Sequence, residues 1–224
     1  MTTTRREPLL LGLMLALTFS TGVIDAVGYL GLDRVFTGNM TGNVVILGMA
    51  VAGADDLPIA GPLLALGGFL AGAALGGRAL RGRASTGWDG RITVLFGLVA
   101  AVLFAVSGVL LADEHPAHGP ALALTTALGA AMGLQAAVAR FIAVKDVTTV
   151  VVTSTITGLA ADSVLGGGKP GHANRRMAAI ALITTGAGVG ALALQVHLGL
   201  GVLIAAALTA AVTATGHLLH RPAR

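Results

Sequence analysis

Long apolar stretches separated by short polar turns fill most of this chain. A helix needs ~20 apolar residues to cross the hydrocarbon core of a bilayer, and most of the stretches are close to that length. Eight apolar segments cover approximately 9–31, 37–53, 59–79, 92–112, 120–139, 148–165, 177–196 and 199–219. The pattern predicts an all-α, polytopic membrane protein that forms a single integral domain over residues 1–224, surrounded by lipid.

Two of the segments carry polar breaks. Residues 36–43 read Phe-Thr-Gly-Asn-Met-Thr-Gly-Asn, and 148–157 contain five threonines. Gly, Asn and Thr are unfavourable inside a helix but suit a helix start. In lipid, irregular backbone survives only where protein buries it or water reaches it. Each break therefore predicts a short broken or re-entrant helix.

The two halves of the chain correspond to each other, with one repeat over about 9–112 and the other over about 120–219. Gly22-Val23-Ile24-Asp25 matches Gly133-Leu134-Gln135, and Thr41-Gly42-Asn43 matches Thr153-Ser154-Thr155. Small residues at four-residue spacing favour close helix packing, within one chain or in a homodimer. The glycines with this spacing are Gly68, Gly72, Gly76, Gly186 and Gly190.

Composition supports a membrane protein and excludes several other classes. Charged residues are 11% of the chain, whereas a soluble domain has about 25%. The net charge of +4 is spread over short loops, which indicates membrane orientation and not nucleic-acid binding. Cysteine is absent, so disulfides, thiolate metal sites and thiol catalysis are excluded.

The basic residues predict how the chain crosses the membrane. Eight crossings would divide the 14 Lys and Arg residues seven to seven, against the positive-inside rule. If both broken segments return to the side from which they enter, six crossings remain and only Arg34 among the 14 lies outside. Each half then has three crossings, so the two repeats are inverted and both termini are cytoplasmic.

Several motifs together resemble the YoaK family of bacterial inner-membrane proteins, a family grouped as a domain of unknown function. They are Gly22-Val23-Ile24-Asp25-Ala26, the 36–43 break, Met132-Gly133-Leu134-Gln135 and the 149–157 stretch. The resemblance covers essentially the whole chain. It implies a compact multi-pass protein of the bacterial inner membrane and no particular activity.

The candidate site residues each have a functional and a structural interpretation. Asp25 is either a proton or cation site, or a structural carboxylate that caps the break or pairs with Arg140. The Thr-Gly-Asn motif either presents helix N–H groups to a solute or caps a packed helix. Gln135 either binds substrate or links helices. The predicted substrate-binding set is Asp25, Thr37, Asn39, Thr41, Gly42, Asn43, Gln135, Thr153 and Thr155.

Inverted repeats with broken helices are a transporter design whose site lies near the membrane midplane. The sequence therefore predicts a transporter or channel for a small polar or anionic solute. The alternative is a non-transporting membrane protein that acts through protein partners or lipids. Catalytic motifs and defined metal-ligand sets are absent from the sequence, so we expect no enzyme activity, metal or cofactor.

Overall fold

Helices make up the described structure. The computed structural model describes residues 3–83, 87–142, 152–162 and 173–220, and these contain no β-strand. The helices in this part of the chain are α1 (Thr3–Gly31), α2 (Met40–Val51), α3 (Ala60–Leu80), α4 (Gly90–Ala112), α5 (His118–Ile142), α6 (Val152–Ala161), α7 (Ala173–Leu194) and α8 (Leu198–His220). The predicted all-α fold is confirmed.

Among the described residues, six helices are long and apolar enough to cross a membrane, namely α1, α3, α4, α5, α7 and α8. Helix α2 has 12 residues, which gives about 18 Å at ~1.5 Å per residue. A bilayer core is ~30 Å thick, so α2 is too short to cross it. The chain is therefore a multi-pass membrane protein in which α2 does not span.

Glycines set the contact between α3 and α5. A methyl group on Gly68 would overlap the carbonyl oxygen of Thr126, and one on Gly72 would overlap that of Ala130. Gly76 continues the same face, so this predicted stripe packs within the chain. Residue numbers rise together along both helices, and α3 and α5 are therefore parallel.

The second glycine stripe makes the equivalent contact between α7 and α1. A methyl group on Gly186 would overlap the carbonyl oxygen of Phe19, and one on Gly190 would lie 2.6 Å from that of Val23. Residue numbers again rise together, so α1 and α7 are parallel. Both close contacts depend on the missing side chain, because backbone meets backbone there.

Helices α4 and α8 run in opposite directions. Gly199, at the start of α8, lies against Leu111 near the end of α4, whereas Gly216 lies against Trp88, just before α4 begins. The Ser107 hydroxyl donates a hydrogen bond to the carbonyl oxygen of Gly199 at 3.1 Å. This pairing is therefore antiparallel.

Helices α1 and α8 are antiparallel as well, because Ser20 donates to the Ala205 carbonyl while the later residue Val27 lies against the earlier Gly201. Helices α1 and α4 both oppose α8, so they share a direction. That is the case only if α2 does not cross between them. The antiparallel directions of α4 and α8 likewise require that the chain between α5 and α7 does not cross the membrane. The helix directions fit six crossings and not eight.

The pairs of packed helices recur between the halves of the chain. Helix α3 packs on α5 as α7 packs on α1, α4 contacts α5 as α8 contacts α1, and α2 contacts α3 as α6 contacts α7. An inverted repeat produces this set of pairs. The repeat over 9–112 and 120–219 stays a prediction that the packing supports.

The helix ends differ from the sequence prediction at two places. Helix α5 continues to Ile142, so Arg140 lies in its last turn and not in a polar stretch after the predicted apolar segment 120–139. A cation in that position is favoured by the helix dipole. Helix α7 includes Arg175 and Arg176, which were predicted to lie in the preceding loop. Of the predicted 148–157 break, residues 148–151 lie outside the described part of the chain.

The α3–α5 contact yields a matched test. Gly72→Ala places a methyl group on the Ala130 carbonyl, and we expect overpacking to lower the free energy of unfolding by about 1–3 kcal/mol. Gly67→Ala is the control, because no heavy atom lies within 4 Å of a methyl group there. Thermal unfolding of the purified protein in detergent measures both. An equal loss for the two variants would contradict this packing.

Candidate functional site

The polar break before α2 is held by a single carboxylate. Asp25 belongs to α1 and is only 8% exposed. Its Oδ1 atom accepts backbone hydrogen bonds from Thr37 at 3.0 Å, Gly38 at 2.7 Å and Asn39 at 3.4 Å. Helix α2 begins at the next residue, Met40. The carboxylate thus satisfies donors that would otherwise be unpaired beside a helix N-terminus, where negative charge is favoured.

A tight turn after α1 brings the break back to Asp25. Asp33 and Arg34 have φ angles of 50° and 52°, in the left-handed region that most residues avoid. The Val35 N–H then donates to the carbonyl oxygen of Gly28 at 3.2 Å. A methyl group on Gly28 would overlap the Val35 carbonyl, so glycine is needed for the chain to fold back along α1.

Gly38 has a comparable role beside the carboxylate. A methyl group there would lie 2.8 Å from Cγ2 of Thr21 and 3.4 Å from Oδ1 of Asp25. Because glycine lacks that atom, its N–H can approach Asp25 at hydrogen-bonding distance. The glycine of this motif thus serves a close approach between the break and α1.

Asn43 ties the break to the first turn of α2. Its side chain is fully buried, and its Oδ1 accepts the Phe36 N–H at 2.9 Å. Its Nδ2 donates to the Phe36 carbonyl oxygen. The Phe36 ring lies over Gly42, where a methyl group would be only 2.5 Å from a ring carbon, and stacks on Tyr29 at 4.8 Å between centroids. Asn43 and Gly42 therefore shape the break itself.

The second half contributes α6. Thr153 is exposed on this helix, whereas Thr155 is buried. Arg176 of α7 donates to the carbonyl oxygen of Gly158 and pairs with Asp162 at 2.6 Å. These contacts attach the end of α6 to α7.

Gln135 links α5 to α1. It is fully buried, and its Nε2 donates to the hydroxyl of Thr21 at 3.1 Å. That hydroxyl donates in turn to the Leu17 carbonyl oxygen at 2.9 Å. This arrangement is the helix link of the two alternatives considered for Gln135, and such bonds hold membrane helices together.

A cavity of about 330 Å³ lies where the first break meets α6 and α7. We call it the break cavity. Its lining residues are Thr21, Asp25, Asn39, Thr41, Val152, Thr153 and Ile183. They come from α1, the start of α2, α6 and α7, so both halves of the chain form its walls. Its volume is at the lower end of the ~300–1,000 Å³ range of small-molecule pockets.

Four of the predicted substrate-binding residues converge on the break cavity, namely Asp25, Asn39, Thr41 and Thr153. The others do not line it: Thr37, Gly42, Asn43, Gln135 and Thr155. As described above, the contacts of Gly42, Asn43 and Gln135 serve the fold. The structure thus divides the predicted set into residues that line the cavity and residues that do not.

The ion pair predicted between Asp25 and Arg140 is absent from the described residues. Arg140 is exposed at the end of α5, and the ion pairs among the described residues do not join it to Asp25. Arg140 is also five residues beyond Gln135, or about 7.5 Å farther along the helix. Backbone N–H groups take the place of a basic counter-ion at Asp25.

The sequence left open whether the break offers its N–H groups to a solute, and in the structure three of them are bonded within the protein. The N–H groups of Thr37, Gly38 and Asn39 already donate to Asp25. A helix start that binds an internal carboxylate has those donors occupied, so an anion would have to compete with Asp25 for them. The capping interpretation of this motif is the one that the geometry favours.

Sequence reasoning missed three lining residues, Thr21, Val152 and Ile183. Thr21 lies one helical turn before Asp25 on the same face of α1, so helical periodicity could have identified it. Val152 and Ile183 are apolar residues of α6 and α7 that carry no chemical signal. Only the docking of those helices on α1 brings them to the cavity.

The chain is similar to proteins that are already known. A family model described as a protein of unknown function (DUF1275) matches residues 13–215. The UPF0700 transmembrane protein YoaK of Bacillus subtilis (strain 168) is 30% identical over 150 residues, which are 67% of this chain and 65% of that protein. The match thus spans just under two thirds of the relative's length. No solved structure matches. The resemblance predicted from the motifs is confirmed.

Two asparagines of the break provide a paired test. Asn43→Ala leaves the partly buried N–H and C=O groups of Phe36 without their partner, and we expect a loss of about 1–3 kcal/mol in the free energy of unfolding. Asn39→Ala is the same chemical change four residues earlier, where the side chain makes no capping bond. We expect little effect there. Thermal unfolding in detergent compares the two, and equal stability of both variants would refute the role of Asn43.

Proposed function

The chain belongs to the DUF1275 family of proteins of unknown function, and we propose that it is a transporter or channel for a small polar solute, which binds in the break cavity. The observation that carries this proposal is a cavity with walls from both halves of a membrane protein, lined by one carboxylate and by Thr and Asn side chains. We propose no catalytic step and no cofactor.

The lining side chains support a ligand in the cavity. Among the described residues, no hydrogen bond uses the side chains of Asn39, Thr41 or Thr153. In contrast, the Asn43 side chain and the Nε2 group of Gln135, which lie outside the cavity, are bonded to protein. Asn39, Thr41 and Thr153 are exposed in the structure, so their side chains can bond to water or to a solute in the cavity. The break cavity is therefore suited to a hydrated or solute-filled state.

The architecture supports transport over a static site. In the described part of the chain, two short helices, α2 and α6, border one cavity beside six helices that are long and apolar enough to span. In transporters with inverted repeats, binding sites lie where discontinuous helices of the two repeats meet, and one repeat moves against the other. We propose the same alternation here, with α1 and α7 as the parallel pair that borders the site.

We propose that the protein lies in the bacterial inner membrane with both termini in the cytoplasm. This orientation follows from the distribution of basic residues, of which Arg34 alone among the 14 is then external. Short loops that are rich in Lys and Arg remain on the cytoplasmic side of the membrane.

Single cysteines test the orientation, because the chain has none of its own. In intact cells a membrane-impermeant maleimide should react with Asp55→Cys and His115→Cys. Arg81→Cys should react only after the membrane is permeabilised. Reaction of Arg81→Cys in intact cells would contradict the proposed orientation.

The same method tests whether the break cavity holds water. Thiols react as thiolates, which form in water and not in lipid. We expect Thr41→Cys and Thr153→Cys to react with a water-soluble methanethiosulfonate reagent. Leu98→Cys is the control, because Leu98 is 52% exposed near the middle of α4 and should face lipid. If both cavity positions are as unreactive as position 98, the cavity is dry and the proposal fails in favour of a non-transporting protein.

A further inference from the structure

The break cavity indicates which class of solute it accepts. We propose that the solute is a small organic cation that carries N–H donors, and that the Oδ2 atom of Asp25 is its charge partner. This inference rests on the proposed function, because it assigns the charge of the solute at that same site. It departs from the polar or anionic solute that the sequence predicts.

The described lining of the break cavity carries a single acidic group. Asp25 is the only charged residue among the described residues that line the cavity; the others are hydroxyl, amide and apolar side chains. The same residue is more than nine-tenths buried. Backbone N–H dipoles stabilise this carboxylate but do not cancel its negative charge, and a bound cation would neutralise that charge in a low-dielectric interior.

The two carboxylate oxygens of Asp25 differ in their hydrogen bonds. All three backbone donors of the break end on Oδ1, which leaves Oδ2 free of backbone donors. One oxygen of the carboxylate thus holds the break, and Oδ2 is the atom that we assign to the ligand. An anion would meet this carboxylate and would find those three N–H groups already occupied, so the site disfavours negative solutes.

The remaining lining groups distinguish an organic cation from a metal ion. No cluster of three or more His, Cys, Asp or Glu side chains occurs in the described part of the chain, and hard metal ions prefer several carboxylates or carbonyls. The Thr41 and Thr153 side chains, whose hydroxyls make no hydrogen bond to the described protein, instead line a space of about 330 Å³. They are suited to accept N–H bonds from a molecule larger than a bare ion.

Guanidinium, urea and acetate form a matched set of probes. All three are planar and similar in size, and they carry a positive, zero and negative charge. Purified protein should gain thermal stability with millimolar guanidinium chloride, since a ligand that binds the folded state raises the unfolding midpoint. Urea, sodium acetate and sodium chloride at the same concentrations should have no such effect. Proteoliposomes that contain the protein should likewise take up guanidinium, and they should not take up urea or acetate.

Two variants locate the binding. Asp25→Asn keeps an oxygen that can accept the N–H groups of the break but removes the charge, so the protein should fold and lose the guanidinium effect. Thr153→Val removes one lining hydroxyl and should weaken guanidinium binding roughly 3- to 10-fold. Thr157→Val is its control on the same helix, because the Thr157 hydroxyl donates to the Thr153 carbonyl oxygen and does not line the cavity.

The outcomes separate the two proposals. Stabilisation and uptake with urea or acetate, but not with guanidinium, would overturn the cation assignment and leave transport intact. A response to sodium or potassium equal to the response to guanidinium would also overturn it, in favour of a metal ion. No uptake of any solute would reject the proposed function itself. The comparison of wild-type responses needs no variant, so it decides the charge even if Asp25→Asn does not fold.

Discussion

Backbone N–H groups within a membrane need acceptors, and in this protein one carboxylate provides them for the irregular stretch before α2. Asp25 accepts three backbone hydrogen bonds from the break. Without such an acceptor the break would leave unpaired donors in a region of low dielectric, each of which costs several kcal/mol in lipid. The turn after α1 and the glycines at 28 and 38 allow the chain to reach that carboxylate. The position of α2, and with it one wall of the cavity, depends on this interaction.

Close packing over glycine determines how the other walls are placed. The α1–α7 and α3–α5 contacts bring backbone against backbone, which fixes the register of each parallel pair within narrow limits. Helix α7 carries α6 with it through Arg176. The contact between α1 and α7 therefore sets where α6 faces the first break. A glycine far from the cavity can influence its shape through these rigid pairs.

The polar residues predicted for the site divide into two groups with different demands. Asn43 and the Nε2 group of Gln135 are buried and bonded within the protein, whereas Asn39, Thr41 and Thr153 line the cavity. Asp25 belongs to both groups, because one of its oxygens holds the break while the residue also lines the cavity. A ligand that binds this carboxylate would act on the same residue that orders α2. Ligand binding and the conformation of the break would then be coupled, since a ligand shifts an equilibrium through differential interactions.

The sequence alone determined the helical membrane fold, the short segments and four of the residues that line the break cavity. Those features follow from local rules: segment length, apolar composition, and the poor fit of Gly, Asn and Thr inside a helix. These local rules did not determine which group pairs with Asp25. The type of residue suggested Arg140 as the partner of Asp25, but the tertiary structure pairs the carboxylate with backbone N–H groups, which look alike in every sequence. Val152 and Ile183 reach the cavity only because α6 and α7 dock on α1. The direction and register of packed helices are long-range properties, and they decided which polar groups stay unpaired.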